Sequence, residues 1–421
     1  MNKLIITRWN GRVLTALGSG KEIVELSLEE ETSILGNIYI GRISRIVKNL
    51  NSAFVDFGEG LTGYYSLADN PVSLLASSGA VPSLSAHAAK DDTASLSLRN
   101  ISSQSLKGGD SILVQVAKDA VKTKDPVLTS NLNFAGKYAV LTIGKKSVNF
   151  SSKIHDRTWK DHLRPKLEEV IGEETGVIVR TNGYGMENEL LAEVSGLLRL
   201  YREIRAAASY RTCKSLLYQA EPEYIKSLKG SRTGSLGEIL TDQKDVYDGI
   251  HRYLECYQPE DTDKLRYYED PLVSLACLYS FKGVMDQACQ KRVWLKSGGY
   301  LIIEQTEAMV VIDVNTGKYS GKKNQADTIR MINLEAAKEI CRQLRLRNLS
   351  GIILVDFIDM KEEEDKALLM EKLQEFAEPD PVKTTVVDMT QLNLVELTRK
   401  KGKKPLWEQL AGIGGSGFSR F

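Results

Sequence analysis

Two aspartates, each near the end of an apolar run, are the residues of this sequence best suited to chemistry. Asp313 and Asn315 fall in the run 309–315, and Asp356 falls in the run 351–357. Carboxylate and amide oxygens without a basic partner favour a hard divalent cation such as Mg²⁺. An aspartate at a strand end is also commonly a turn or helix cap, and the pattern alone leaves both interpretations open.

The elements around these residues predict how they are positioned. Each run is short, rich in branched aliphatic residues and bounded by glycine or turn residues, which predicts a strand buried on both faces. Residues 325–349 between the runs are amphipathic and predict a helix. A strand–helix–strand connection makes the strands parallel neighbours and brings both acids to the sheet edge where open α/β sheets bind ligands. Asp313 and Asn315 lie two positions apart on one strand, so their side chains share a face.

Length and composition limit the class of protein. A chain of 421 residues, 42% hydrophobic and 26% charged, is a globular protein of two to four domains. With a formal net charge of +1, affinity for nucleic acid must come from local patches. The clearest basic patch is the run 399–404, which is equally consistent with a solvated tail and with an RNA contact.

The cysteines and the N-terminus exclude other classes. The five cysteines are scattered and never spaced as Cys-x-x-Cys, which argues against a disulfide framework and against a zinc site. No run is long enough to be a signal peptide or a membrane span. We therefore expect a cytoplasmic protein.

Short strands punctuated by glycine predict a small barrel in the first third of the chain. They cover residues 37–46, 53–58 and 63–65, and a further strand is predicted at 111–116, followed by the basic residues Lys118, Lys122 and Lys124. The Ser- and Ala-rich stretch 73–106 has no sustained periodicity and predicts a flexible or loosely structured insertion within this barrel. Aromatic residues beside basic ones on such a barrel can stack the bases of single-stranded RNA. For Phe57, packing in the core is the favoured interpretation.

A separate small α/β unit is predicted after the barrel. Strands at 138–141 and 176–179 bracket a helix from about 156 to 171, and the second strand ends at Arg180 and Thr181 in a Gly-rich turn. A guanidinium and a hydroxyl in such a turn can bind a phosphate, but on this pattern alone a purely structural turn is the favoured interpretation.

Several long motifs occur in an order that resembles one known family. They cover residues 305–315, 333–347 and 353–360, and the barrel motif Ala-Phe-Val-Asp-Phe-Gly at 53–58 is similar to S1-type OB folds. From residue 3 to about residue 400 the chain resembles the ribonuclease E/G family of bacterial endoribonucleases.

The resemblance implies a multidomain α/β and β fold. It consists of a ribonuclease-H-like subdomain with an inserted S1-type OB barrel and a 5′-sensor unit, followed by a deoxyribonuclease-I-like catalytic subdomain. The implied limits are 1–35 plus 218–288 for the ribonuclease-H-like subdomain, 36–126 for the barrel with its insertion 73–106, 127–217 for the 5′-sensor, 289–400 for the catalytic subdomain and 401–421 for a basic, Gly-rich tail.

The resemblance also implies an activity and a set of site residues. The expected activity is cleavage within single-stranded, A/U-rich RNA in RNA processing and decay, leaving a 5′-phosphate and a 3′-hydroxyl and preferring 5′-monophosphorylated RNA. The implied residues are Asp313 and Asp356 as ligands of Mg²⁺ (or Mn²⁺), Asn315 beside the scissile phosphate, Arg180 and Thr181 at the RNA 5′-phosphate, and Phe54, Tyr64 and Lys124 as RNA contacts of the barrel.

One departure from the family pattern bears on assembly. The family commonly carries a Cys-x-x-Cys zinc link after the catalytic region, and residues 401–421 contain no cysteine. We therefore expect no zinc, and any homo-oligomer would be joined in another way. The alternative to an active nuclease is a non-catalytic or assembly-dependent RNA-binding protein that keeps the barrel.

Overall fold

The computed structural model describes residues 2–29, 33–75, 99–120, 125–231, 236–317 and 325–411. They form two compact units, one containing the described residues up to 29 and from 236 onward, the other those between 33 and 231. None of the helices in these ranges is both long and apolar enough to cross a membrane.

Strands and helices are numbered in chain order. The strands are β1 Asn2–Trp9, β2 Arg12–Ser19, β3 Glu22–Glu29, β4 Ile38–Val47, β5 Ser52–Gly58, β6 Leu61–Ser66, β7 Val72–Leu75, β8 Arg99–Ser102, β9 Ser111–Lys118, β10 Val127–Thr129, β11 Asn133–Ala135, β12 Ala139–Ile143, β13 Ser147–Phe150, β14 Thr175–Val179, β15 Leu216–Tyr218, β16 Leu236–Thr241, β17 Leu265–Tyr267, β18 Arg292–Trp294, β19 Tyr300–Gln305, β20 Met309–Asn315, β21 Gly351–Asp356, β22 Thr384–Met389 and β23 Leu394–Arg399. The α-helices are α1 Arg157–Val170, α2 Glu187–Ala208, α3 Glu223–Gly230, α4 Lys244–Tyr257, α5 Leu275–Leu278, α6 Phe281–Ala288, α7 Gln325–Leu346, α8 Glu363–Ala377 and α9 Leu406–Ala411.

The first unit contains a five-stranded and a six-stranded sheet. The five-stranded sheet has the order β17-β16-β1-β2-β3, with β1 to β3 antiparallel and β16 and β17 parallel to β1. Helix α9 packs against it through Leu406 and Leu410, and the Leu28 amide donates to Gln409 Oε1 at 2.9 Å. The prediction of a tail from residue 401 did not anticipate this helix, because its apolar residues are too few to show helical periodicity.

The six-stranded sheet confirms the predicted strand–helix–strand unit. Its order is β18-β19-β20-β21-β23-β22, with β20 and β21 parallel and with α7 between them in sequence. Buried residues of α7 and α8 pack on one face of the sheet. The prediction that both faces are buried was wrong, because exposure alternates along β20 and β21, and Val311 and Ile352 are 38% and 51% exposed.

A closed barrel lies in the second unit. Strands β4, β5, β6, β10 and β9 follow one another around it, and pairing of β4 with β9 closes the ring, as in an OB fold. The predicted barrel strands are present, and the fully buried Phe57 is a core residue as predicted. Two short strands that lie outside the predicted limits of the barrel, β10 and β15, also join its sheet.

The predicted insertion 73–106 is ordered at both ends. Strand β7 pairs with β8 and β9, so residues 73–75 and 99–102 belong to the sheet. A buried network of hydroxyl groups secures this pairing: Tyr65 Oη lies 2.8 Å from Ser73 Oγ and donates to Ser130 Oγ at 2.7 Å, and Ser73 Oγ lies 2.8 Å from Ser103 Oγ. Serine therefore acts as a core residue in this sheet, and composition alone could not predict that. Residues 76–98 lie outside the described ranges.

The rest of the second unit is a four-stranded sheet with two helices. Its order is β11-β12-β14-β13, and β14 is antiparallel to β12 and parallel to β13. Buried residues of α1 and α2, including Leu163, Leu167, Leu190 and Val194, pack against it. The two strands and the helix predicted for this region are all present.

The basic run 399–404 does not act as one patch. Arg399 is buried, and its guanidinium donates to the Asp380 carboxylate from Nε at 2.7 Å and from Nη2 at 3.2 Å. Its Nη1 donates to Asn348 Oδ1 at 2.8 Å. Arg399 therefore joins elements of the fold, and only the lysines that follow it are exposed.

Candidate active site and RNA interface

Asp313 and Asp356 are direct neighbours on the open face of the six-stranded sheet. They are register partners of the parallel strands β20 and β21, whose spacing is about 4.8 Å. Both are exposed, as expected for the face opposite α7 and α8. The predicted convergence is confirmed, although the acids lie on the sheet's open face as well as near the ends of the strands.

The electrostatics of this pair suit a cation. Burial, and then the negative charges of Asp313 and Asp359, raise the pKa of the Asp356 carboxyl. Within the described part of the chain, neither Asp313 nor Asp356 pairs with a basic side chain. No three His, Cys, Asp or Glu side chains of the described residues come together to hold a metal ion. Two carboxylates fit Mg²⁺, which keeps several waters and needs only one or two protein carboxylates.

Asn315 is held beside the acids by both side chain and backbone. Its Nδ2 donates to Asp313 Oδ2 at 2.6 Å, which orients that carboxylate. The turn that contains Gly298 and Gly299 packs directly behind it, because a Cβ on Gly299 would lie 2.9 Å from the Asn315 carbonyl oxygen. Gly317 has a φ of +59°, and a Cβ there would overlap the Gly298 carbonyl oxygen. Gly299 and Gly317 are therefore required by the close approach of two backbones.

Two polar residues of α7 fix the loops on either side of the site. The fully buried Asn333 donates from Nδ2 to the Ile358 carbonyl at 2.8 Å and accepts from the Ile358 amide at 3.2 Å. Ile358 follows Asp356 by two residues, so this pair of bonds holds the loop after β21. Glu335 accepts from the Lys296 amide at 2.7 Å and so holds the turn before β19. We did not predict these roles, although a polar Asn333 on an apolar helix face was a signal that could have revealed one.

An aromatic and basic row crosses the barrel surface. Phe54 on β5 pairs with Tyr64 on β6, and their ring centroids are 6.3 Å apart. The guanidinium of Arg45 on β4 lies 5.0 Å from the Phe54 centroid, and both line a shallow groove with residues 46–50. Phe54 and Tyr64 are half-buried, so their rings remain partly accessible. Lys124 lies outside the described residues.

Arg180 and Thr181, the predicted phosphate-binding residues, lie in the second unit. Both are half-buried at the end of β14, in a 3₁₀ turn over Thr181–Gly183. Thr181 Oγ1 lies 3.1 Å from Ser151 Oγ, and Arg180 Nη1 donates to the Gly136 carbonyl. The hydroxyls of Thr181 and Ser151 therefore lie together at this strand end, whereas the Arg180 guanidinium lies against the Gly136 carbonyl; guanidinium and hydroxyl groups both donate hydrogen bonds to phosphate.

A carboxylate from α2 fixes the loop that contacts Arg180. Glu193 accepts hydrogen bonds from the amides of residues 137, 138 and 139 at 2.6, 2.8 and 2.9 Å. A Cβ on Gly136 would overlap the Glu193 carboxylate, so this approach requires glycine. The Tyr138 carbonyl in turn accepts from the Arg180 amide at 2.8 Å. Glu193 was not predicted, because nothing in a helical sequence indicates that a glutamate binds a distant loop.

Comparisons with known proteins all match one family. The family model described as the Ribonuclease E/G family matches residues 133–402. Ribonuclease G of Salmonella typhimurium is 32% identical over 402 residues, which cover 95% of this chain and 79% of that protein. Ribonuclease G of Haemophilus influenzae is 34% identical over 387 residues, covering 91% of this chain and 76% of that protein. Ribonuclease E of Synechocystis sp. is 30% identical over 397 residues, covering 92% of this chain and 55% of that protein.

Proposed function

The chain belongs to the ribonuclease E/G family, and from that premise we propose that it cuts single-stranded RNA at a Mg²⁺ site formed by Asp313 and Asp356. Its enzyme class follows from the family: it is an endoribonuclease with a role in RNA processing. The observation that carries the proposal is the in-register pair of carboxylates on an open sheet face, with Asn315 beside it. The non-catalytic alternative has no comparable support.

Each side chain would have a distinct role at this site. Asp313 and Asp356 would hold the ion, and Asn315 would orient Asp313 and lie next to the scissile phosphate. When bound, Mg²⁺ supplies a more acidic water and neutralises charge that develops on the phosphate during hydrolysis. Asn333 and Glu335 act at a distance by holding the loops around the site. The proposed products carry a 5′-phosphate and a 3′-hydroxyl. Mn²⁺, which accepts the same oxygen ligands, is the proposed substitute.

The barrel would hold the single strand. Phe54 and Tyr64 offer ring faces for stacking, and Arg45 adds a positive charge beside them. Stacking of a base on an aromatic ring contributes about 1–3 kcal/mol and tolerates different bases. Lys124 is proposed as a further RNA contact of the barrel, on the resemblance to the family alone.

The Arg180 group would bind the 5′ end. A terminal monophosphate presents more negative charge than an internal phosphodiester, so Arg180 and Thr181 would favour it. Glu193 supports this preference indirectly, since it holds the loop that orients Arg180.

The subdomain assignments are also part of the proposal. The five-stranded sheet, an antiparallel hairpin pair extended by two parallel strands, supports a ribonuclease-H-like subdomain over 1–35 and 218–288. The six-stranded sheet with its helices supports a deoxyribonuclease-I-like subdomain over 289–400. The limits 36–126 for the barrel and 127–217 for the sensor complete the assignment.

Removal of the metal tests the activity. With EDTA we expect cleavage of a fluorescent A/U-rich oligoribonucleotide to stop, and we expect Mg²⁺ or Mn²⁺ to restore it, because the two carboxylates need a cation to act on the phosphodiester. Gel analysis gives the rate, and mass spectrometry of the products identifies their ends.

The chemical groups at the product ends distinguish attack by a metal-activated water from attack by the RNA 2′-hydroxyl. Cleavage that persists in EDTA and leaves a 2′,3′-cyclic phosphate would show that the RNA 2′-hydroxyl attacks and that no metal-activated water is needed. A DNA oligomer and a base-paired RNA of the same sequence serve as substrate controls. Both are expected to resist cutting.

Replacement of Arg180 tests the 5′ sensor. In Arg180→Ala we expect the rate advantage of a 5′-monophosphate over a 5′-hydroxyl substrate to fall by roughly 10- to 100-fold, the value of one or two hydrogen bonds to a charged group. The rate on the 5′-hydroxyl substrate should stay within about twofold of wild type. Glu193→Ala is expected to lose the same preference more mildly.

Arg199→Ala is the matched control, because Arg199 is an exposed arginine of α2 in the same unit. It should keep the wild-type preference. An equal wild-type rate on both substrates, unchanged in Arg180→Ala, would refute the sensor assignment.

A further inference from the structure

An exposed aromatic surface lies beside the two aspartates, on the same face of the six-stranded sheet. It consists of Arg292 and Trp294 on β18 and Tyr300 on β19. Trp294 is 63% exposed, unusual for so large an apolar side chain. The Trp294 and Tyr300 ring centroids are 5.3 Å apart at an angle of 62°, and the Arg292 guanidinium lies 4.6 Å from the Tyr300 centroid.

The pairing register places this aromatic surface next to the site. Trp294 pairs with Tyr300, and Tyr300 pairs with Asn315. In the adjacent row, Arg292 pairs with Ile302, which pairs with Asp313. Directly paired residues of antiparallel strands point to the same face. Because each step across the sheet is about 4.8 Å, Trp294 and Arg292 stand only about 10 Å from Asn315 and Asp313.

The alternation of buried and exposed residues along β19 and β20 independently places the aromatic surface and the aspartates on the same face of the sheet. Leu301, Ile303, Ile312 and Val314 are buried in the core shared with α7 and α8, whereas their neighbours along each strand are more exposed. Among the described residues, the Arg292 guanidinium forms no ion pair or side-chain hydrogen bond, and it lies 5.6 Å from the Trp294 centroid as well as close to Tyr300. Its charge is therefore not neutralised by a neighbouring carboxylate.

From this arrangement we infer that the aromatic surface binds a nucleotide that flanks the cut, with its base stacked on Trp294 and its phosphate beside Arg292. An indole face and a guanidinium form the combination that holds single-stranded nucleic acid without demanding one base. The separation of about 10 Å from the aspartates suits a nucleotide close to the scissile phosphate. The position of the cut relative to this surface rests on the proposed metal site.

Abasic substrates test the inference. The substrate is a single-stranded oligoribonucleotide with one cleavage position, and each variant of it lacks one base near the cut. With wild type, we expect loss of one particular base to lower kcat/KM by about 5- to 100-fold. Trp294→Ala should lower kcat/KM on the intact substrate by a similar factor and should show no further loss with that abasic substrate. Trp294→Phe should restore most of the rate.

Tyr257→Ala is the control, because Tyr257 is a 69% exposed aromatic residue on α4 of the same unit. It should match wild type on every substrate. If Trp294→Ala remains as sensitive as wild type to each abasic position, the inference is wrong. Thermal melts establish that the variants are folded, which the exposure of Trp294 favours.

A binding measurement separates this inference from the metal proposal. In EDTA, oligouridylate should quench tryptophan fluorescence in wild type, and the quench should largely vanish in Trp294→Phe. Absence of any Trp294-dependent quench overturns the inference. Cleavage that persists in Asp313→Asn overturns the metal site instead, and the quench would still be observed.

Discussion

Replacing Asp313 or Asp356 with asparagine is expected to reduce kcat on single-stranded RNA by roughly 10³-fold, with RNA binding in EDTA unchanged. Each substitution removes one of two carboxylates that would hold the cation, and a metal's stabilisation of transition-state charge amounts to several kcal/mol. Single-turnover cleavage at saturating Mg²⁺ gives the rate, and fluorescence anisotropy gives the affinity.

Asp388→Asn is the matched control, because Asp388 is an exposed aspartate on β22 of the same sheet. It should cleave at the wild-type rate. If Asp313→Asn and Asp356→Asn retain activity within about tenfold of wild type, the metal would have to be held elsewhere. A loss that affects RNA binding as strongly as kcat would indicate a damaged fold instead.

Replacing Arg399 with alanine is expected to destabilise its unit by about 3–5 kcal/mol. The Arg399 and Asp380 side chains are both 3% exposed, so the substitution leaves a buried carboxylate without its bidentate partner. Urea denaturation followed by circular dichroism measures the shift of the transition. The double variant Arg399→Leu/Asp380→Leu should recover part of the loss, because no buried charge then remains unpaired.

An exposed ion pair supplies the comparison. Lys291 and Glu304 are 44% and 52% exposed, and Lys291→Ala is expected to cost less than about 1 kcal/mol. The experiment also decides between two roles of the basic run 399–404. If Arg399→Ala keeps full stability and instead weakens RNA binding, Arg399 would contact RNA as part of that run.

The six-stranded sheet was largely predictable from the sequence. The bounds of β20, α7 and β21 follow the predicted runs closely, and the parallel pairing that aligns Asp313 with Asp356 follows from their connection through one helix. These features depend on residues close in sequence, where periodicity and connection length carry the information. The barrel strands were predictable for the same reason.

The exposure of the site was not predictable in this way. Runs such as 309–315 look the same in sequence whether a sheet is covered on one face or on both. Val311 and Ile352 are apolar, yet they are exposed. Only the placement of α7 and α8 on a single face decided that Asp313, Asp356 and Trp294 share an open surface.

Sequence by itself determined the enzyme family, the parallel pair of acid-bearing strands and the closed barrel, since each is encoded in motifs and in local periodicity. Tertiary structure decided which polar residues act on distant elements: Glu193 on the loop at 137–139, Asn333 on the loop after Asp356, and Arg399 on Asp380. Each of these bonds joins residues far apart along the chain. Their partners are selected when the elements pack and buried polar groups must be satisfied, which no local pattern specifies.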